Sequence, residues 1–298
     1  MNSRRHFLKT AAGAAAAVTL PTTAVAGASP AAARKATDWV TLGNSGVKVT
    51  RLAFGTGTFG GRVQRELGQD KFNRLVRHAY DSGIRFFETA DNYAGMHEML
   101  AIALKGIPRD SYRLMTKFRL RETESVPATL DRFRRETNSE YFDIVLLHCV
   151  RTHDWSKEFA AFRDGLSEAK HRKVLLAHGA SAHGLLPVRT FTGNQWLDVA
   201  LMRINHDGAR MDRLERNDTA EKGNVAEVTQ HASQIHRQGT GVLGMKIIGE
   251  GQFTTPEQRE ASIRYVMGLG TVDAVTIGYK SPAEIDEAIA RINSALKS

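Results

Sequence analysis

Short apolar runs alternate along the chain with longer stretches of helical spacing. The runs are Leu52 to Gly55, Ile84 to Glu88, Arg113 to Lys117, Asp143 to His148, Val174 to Gly179, Val199 to Arg203, Gly241 to Lys246 and Ala274 to Gly278. Within them, IVLL and VLLA leave no polar face, the pattern of a strand covered by helices on one side and by barrel packing on the other. Between them, Ile285, Ala288, Ile289, Ile292 and Leu296 recur at helical spacing, and Leu130 with Phe133 follows a Ser125 cap and Pro127. Strand alternating with helix predicts a parallel sheet. Eight such units in a chain of 298 residues predict an α/β fold, a (β/α)8 TIM barrel rather than an open doubly wound sheet.

A barrel of this kind gathers its chemistry where the strands end. Those ends read Glu88, Lys117, His148, Ser181, Arg203, Lys246 and Lys280, with Tyr93 just beyond the second run. Polar residues also mark where any strand meets solvent, but that bland reading leaves unexplained why the strand starts carry no similar set. Phe59, Trp155 and Trp196 are candidates for lining the substrate pocket. The stretch from Asp207 to Lys222 reads as a lid or as a solvated connection.

The N-terminus stands apart from the fold. Arg4-Arg5-His6-Phe7-Leu8-Lys9 precedes an apolar stretch from Ala11 to Leu20, and Ala24-Val25-Ala26 supplies a small-residue cleavage pattern. Residues 1–26 therefore read as a twin-arginine signal peptide, which makes the twin-arginine translocation machinery a partner and the periplasm, or another exported location reached by that route, the destination. The apolar stretch is too short for a membrane span. Residues 27–40 read as a flexible lead-in and residues 41–298 as one barrel domain.

Composition sets bounds. The formal charge is +9, of which Arg4, Arg5 and Lys9 belong to the signal, and the remaining basic residues are interspersed with acids. No nucleic-acid surface is expected, whereas a positive mouth drawing an anionic cofactor or substrate fits the balance. The single cysteine, Cys149, excludes an internal disulfide and any cysteine-built zinc or iron–sulfur site from this chain alone. His148, His178, His183 and His206 form no ligand-spaced motif, so no metal is expected.

These motifs together resemble the aldo-keto reductase family. The matching segments are Val49 to Gly57, Gly83 to Tyr93, Met115 to Lys117, Tyr141 to His148, Gly179 to Ser181, Gly244 to Lys246 and Ile277 to Pro282, in the family's order and covering the mature chain. The resemblance implies an NAD(P)-dependent oxidoreductase that transfers a hydride between a nicotinamide and a carbonyl or alcohol. It assigns Tyr93 as general acid and base, Lys117 as the cation that favours its phenolate, and His148 as the donor that orients the substrate oxygen. Glu88 stands where the family has aspartate.

The resemblance also implies cofactor contacts at Ser181, Arg203, Met245, Lys246, Lys280, Ser281, Glu284 and Glu287. Several depart from the family: Ala182 replaces an Asn, Arg203 a Gln, Met245 an aromatic and Ala288 an Asn. Glu284 occupies a place where NADP-users carry Arg or Gln, and a carboxylate there repels a 2′-phosphate but accepts from a ribose hydroxyl. As an exposed residue at a helix start it would equally suit the helix dipole, so NADP and NAD both remain open. Export in the folded state implies a cofactor loaded beforehand and retained. The altered contacts equally suit a barrel that binds or regulates without turnover.

Overall fold

A computed structural model describes residues 34–120, 125–214 and 221–297; the expected signal peptide lies outside them. Ten strands are present among these residues. Two are a short antiparallel pair, β1 (Trp39–Thr41) and β2 (Lys48–Thr50). The others are β3 (Leu52–Gly55), β4 (Phe86–Glu88), β5 (Arg113–Phe118), β6 (Phe142–Val150), β7 (Leu175–Ala182), β8 (Val199–Arg203), β9 (Gly241–Met245) and β10 (Ala274–Gly278). They close into a parallel barrel in chain order, β10 returning to β3. The TIM barrel expected from the alternation is therefore present, with helices crossing between successive strands.

Period-two alternation divides each strand between two cores. Ala53, Phe86, Met115, Ile144, Ala177, Leu201, Leu243 and Ala274 fill the interior, while Phe54, Phe87, Leu114, Val145, Leu147 and Val275 face the helices. Carrying the inward positions one step further along each strand reaches Gly55, Glu88, Lys117, Arg203, Met245 and Thr276. Glu88, Lys117, Arg203 and Thr276 thus give an otherwise apolar barrel a polar top layer.

The antiparallel pair was not expected from the sequence. Leu42, Val47 and Val49 join the interior cluster, so the hairpin plugs the barrel at the strand starts. A Cβ on Gly241 would come within 2.6 Å of Leu42, which explains the glycine there. The lead-in expected to reach residue 40 ends sooner: Ala36 is fully buried and its N–H donates to Asn293.

Helix caps include the one expected at Ser125 and one at Ser281 that was not expected. Ser125 accepts from the Ala128 N–H ahead of Val126–Thr137, and Ser281 caps Pro282–Ala295. Part of the segment after β8 is packed rather than solvated, with Met211 and Asp212 buried. Its Asn205 side chain donates to the carbonyls of Ala209 and Lys246, and residues 215–220 lie outside those described.

Candidate active site

Glu88, Lys117 and Tyr93 meet at the top of the barrel. The Lys117 ammonium is buried, donates to Glu88, to the Thr89 carbonyl at 2.9 Å and to the Tyr93 hydroxyl at 3.2 Å. Glu88 also accepts from the Thr276 hydroxyl at 3.2 Å. The longer acid therefore reaches the lysine as the family's aspartate would be expected to. Gly57 borders the phenol, and a Cβ there would lie 2.5 Å from the Tyr93 oxygen; any side chain at that position would displace it.

The Tyr93 phenol is shifted upward. Desolvation pushes the phenol well above its ordinary value, Glu88 adds to that push, and Arg203 opposes it. The Lys117 charge is already matched by Glu88, so the resting side chain is a protonated phenol.

His148 comes from a distorted strand end. The β6 to β7 register shifts between Leu147 and Val150, and Cys149 has a left-handed φ of 61°. As a result His148 and Cys149, consecutive residues, both line the same cavity. The His148 ring stands edge-on to Tyr93 at 5.6 Å. Desolvation, then Lys117, Arg151 and Arg119, hold its pKa well below the ordinary histidine value, so it is a neutral imidazole.

Beyond His148, residues that the sequence named separately are brought together. His183 Nε2 is 3.3 Å from Cys149 Sγ, and Arg203 donates to His183 Nδ1. Arg203 in turn lies 3.8 Å from the fully buried Asp212, whose carboxyl is raised by burial to about 6. His148, Cys149 and His183 bring donor atoms within 4.8 Å of one another. Their chemistry disfavours a cation: an Arg donating to Nδ1 places the imidazole proton on Nε2, and Arg203, Lys246, Arg151 and Lys117 surround the group.

The expected cofactor residues divide. Met245, Lys246, Lys280, Glu284 and Glu287 line a groove of about 560 Å³ that runs from Tyr93 to the start of Pro282–Ala295, a size suited to a small-molecule ligand. Ser181 and Arg203 do not line it. The Ser181 hydroxyl accepts from the Cys149 N–H at 2.9 Å, and Arg203 lies in the adjoining cavity. Ser281 serves as the helix cap. Glu287 is held by Arg259 at 2.7 Å and by Arg291 at 2.7 Å, and the Arg259 bond lowers its pKa. Glu284 accepts from the Lys280 N–H at 2.7 Å, placing its carboxylate over the first turn. Lys246 donates to Glu250, which also pairs with Arg210 at 3.6 Å.

Other candidates fall elsewhere. Phe59 lines the groove, but Trp155 is buried and donates to Thr190, and Trp196 donates to Ser167. His178 stacks on Trp196 at 4.4 Å, and His206 packs on Phe253. Neither joins His148. Among the described residues, no helix is long and apolar enough to cross a membrane.

Comparison with known proteins bears on this geometry. Residues 51–265 match the model of the aldo/keto reductase family, and residues 1–21 match that of the twin-arginine translocation pathway signal sequence. L-galactose dehydrogenase of Arabidopsis thaliana is 35% identical over 118 residues, 36% of this chain and 36% of that protein. The chain spans about a third (36%) of the length of the curated relatives it matches. The holo form of an aldo-keto reductase from Bacillus halodurans superposes with a TM-score of 0.68 at 17% identity, covering 87% of this chain and 95% of that one, which speaks to the fold.

Proposed function

The chain belongs to the aldo/keto reductase family, and on that premise we propose that it transfers a hydride between a nicotinamide cofactor and a carbonyl or alcohol, with Tyr93 as general acid and base. The observation that carries the reading is the Lys117 ammonium, held between Glu88 and the Tyr93 hydroxyl at 3.2 Å, beside a neutral His148.

When bound, a nicotinamide would supply the hydride for reduction and take it up in oxidation. In reduction, Tyr93 holds the proton that passes to the substrate oxygen. A protonated resting phenol suits that step, and Lys117 stands where it compensates the phenolate left behind. Glu88 fixes the ammonium. His148, uncharged, donates one ring N–H to the same oxygen and orients it. In oxidation the phenolate, compensated by Lys117, takes the alcohol proton back.

Met245, Thr276 and Lys246 would hold the cofactor near Tyr93, with Lys280 and Glu284 at the adenosine end. The buried Tyr279 hydroxyl on the groove wall, without a hydrogen-bond partner among the described residues, fits a ligand that brings a polar group to it. Glu284, seated over the first turn of the helix, favours a ribose hydroxyl over a 2′-phosphate, so we take NAD as the preferred cofactor. The signal sequence supports export, and we place the protein's work in the periplasm with a cofactor loaded before translocation. Mass spectrometry of denatured protein from the periplasm tests this, with a released nicotinamide dinucleotide as the expected result.

A second reading, binding without turnover, rests on Ser181 and Arg203 lying outside the groove. The two readings part on one test. An enzyme oxidises reduced nicotinamide when a carbonyl is added, whereas a binding protein takes up the cofactor and leaves it reduced.

A further inference from the structure

The cavities continue past His148. The space that holds Tyr93, His148 and His183 shares Asn92, His148, Cys149 and Arg151 with an outer cavity of about 650 Å³, whose wall also carries Arg119. Arg119 lies two residues beyond Lys117, and Arg151 three beyond His148. Both are exposed on the rim loops, and among the described residues neither has an ion-pair partner.

The other cations near the reacting centre are matched: Lys117 by Glu88, Lys246 and Arg210 by Glu250, Arg203 by Asp212. Among the described residues, the one carboxylate on the outer wall, Glu158, is exposed and accepts from the Thr152 hydroxyl at 2.7 Å. Two guanidiniums with no ion-pair partner among the described residues therefore line a cavity that opens onto His148. Their field already reaches that ring, since both rank among the charges that depress it.

We propose that the substrate carries an anionic group, a carboxylate or a phosphate, which Arg119 and Arg151 bind while its carbonyl or hydroxyl lies between His148 and Tyr93. The inference rests on the oxidoreductase reading and names the substrate class of that site. Guanidinium forks match both anions in a two-bond geometry, and their position beyond the histidine makes them specificity residues for a substrate with its charge remote from the reacting carbon. The same pair would draw such substrates into the cavity from solution.

Matched substrates isolate the charge. Succinic semialdehyde against its methyl ester probes a carboxylate; glyceraldehyde 3-phosphate against glyceraldehyde probes a phosphate. At least one anionic member should exceed its neutral partner in kcat/KM by about tenfold or more, the scale of one charge-assisted hydrogen bond. That ratio should collapse towards one in the variant carrying Arg119→Gln with Arg151→Gln, and fall with added salt. Which pair responds identifies the anion. Equal kcat/KM within both pairs, or a ratio that survives the double substitution, would overturn the proposal.

If none of the aldehydes is turned over, the oxidoreductase reading fails on its own, and binding decides the inference. Succinate or inorganic phosphate should raise the thermal midpoint of the native protein, and the double variant should lose that rise. No rise in the native protein, or an equal rise in both, would overturn it.

Discussion

The Lys117 ammonium lies 3.2 Å from the Tyr93 hydroxyl and is bonded to Glu88 on the neighbouring strand. One cation thus serves a structural partner and a chemical one. Glu88→Gln should leave the buried lysine charge uncompensated and destabilise the fold by about 3–5 kcal/mol. Glu88→Asp keeps the charge and should retain most of that stability; urea unfolding of the two variants checks the difference.

The acidity of two groups sets the pH profile of reduction. The Tyr93 phenol is raised and keeps its proton through neutral pH, and His148 is depressed and stays neutral there. The kcat/KM for reduction should therefore show no inflection near the ordinary histidine value of ~6.5 and fall only above ~10. A rate profile with a break near neutrality, abolished by His148→Gln, would contradict this assignment.

Asp212 makes stability fall as pH rises. Its folded value is about 6 against an ordinary 3.8, so between those values the folded state binds more protons than the unfolded state. The contribution is greatest below that window and is lost across it, by up to about 3 kcal/mol. Relative to Asp212→Asn, the native protein should lose stability between pH 4 and 7, as measured by urea unfolding at each pH.

At the far end of the groove, Glu284 holds the Lys280 N–H. Glu284→Arg should improve NADP binding relative to NAD by about tenfold, by removing a repulsion and adding a phosphate partner. Fluorescence titrations with both dinucleotides measure the ratio; an unchanged ratio places the 2′ position away from this residue.

How much of this was legible depended on what the sequence pattern records. The barrel strands were readable because burial on both faces leaves runs such as Ile144 to Leu147, and the site residues because Glu88, Lys117 and His148 end such runs. The hairpin was not, since WVT and KVT are each three residues long with polar neighbours. The upward shift of the phenol was not legible because a nearby lysine is visible in sequence, whereas its neutralisation by Glu88 and the depth of the site are not. Cys149 and His183 meet only through the register shift in β6. Arg119 and Arg151 could have been found by the rule that found Lys117 and His148, extended two or three residues into the rim loops.

The central claim is that Tyr93 carries the proton for a nicotinamide-dependent reaction. The direct test follows the loss of reduced-nicotinamide absorbance with neutral and anionic aldehydes in the native protein and in Tyr93→Phe, with dinucleotide binding titrated in both. The native protein should turn over, and Tyr93→Phe should bind dinucleotide but lose about 10²–10⁴-fold in kcat. A Tyr93→Phe protein that retains its turnover, or a native protein that binds dinucleotide and oxidises it with none of the aldehydes, would contradict the claim.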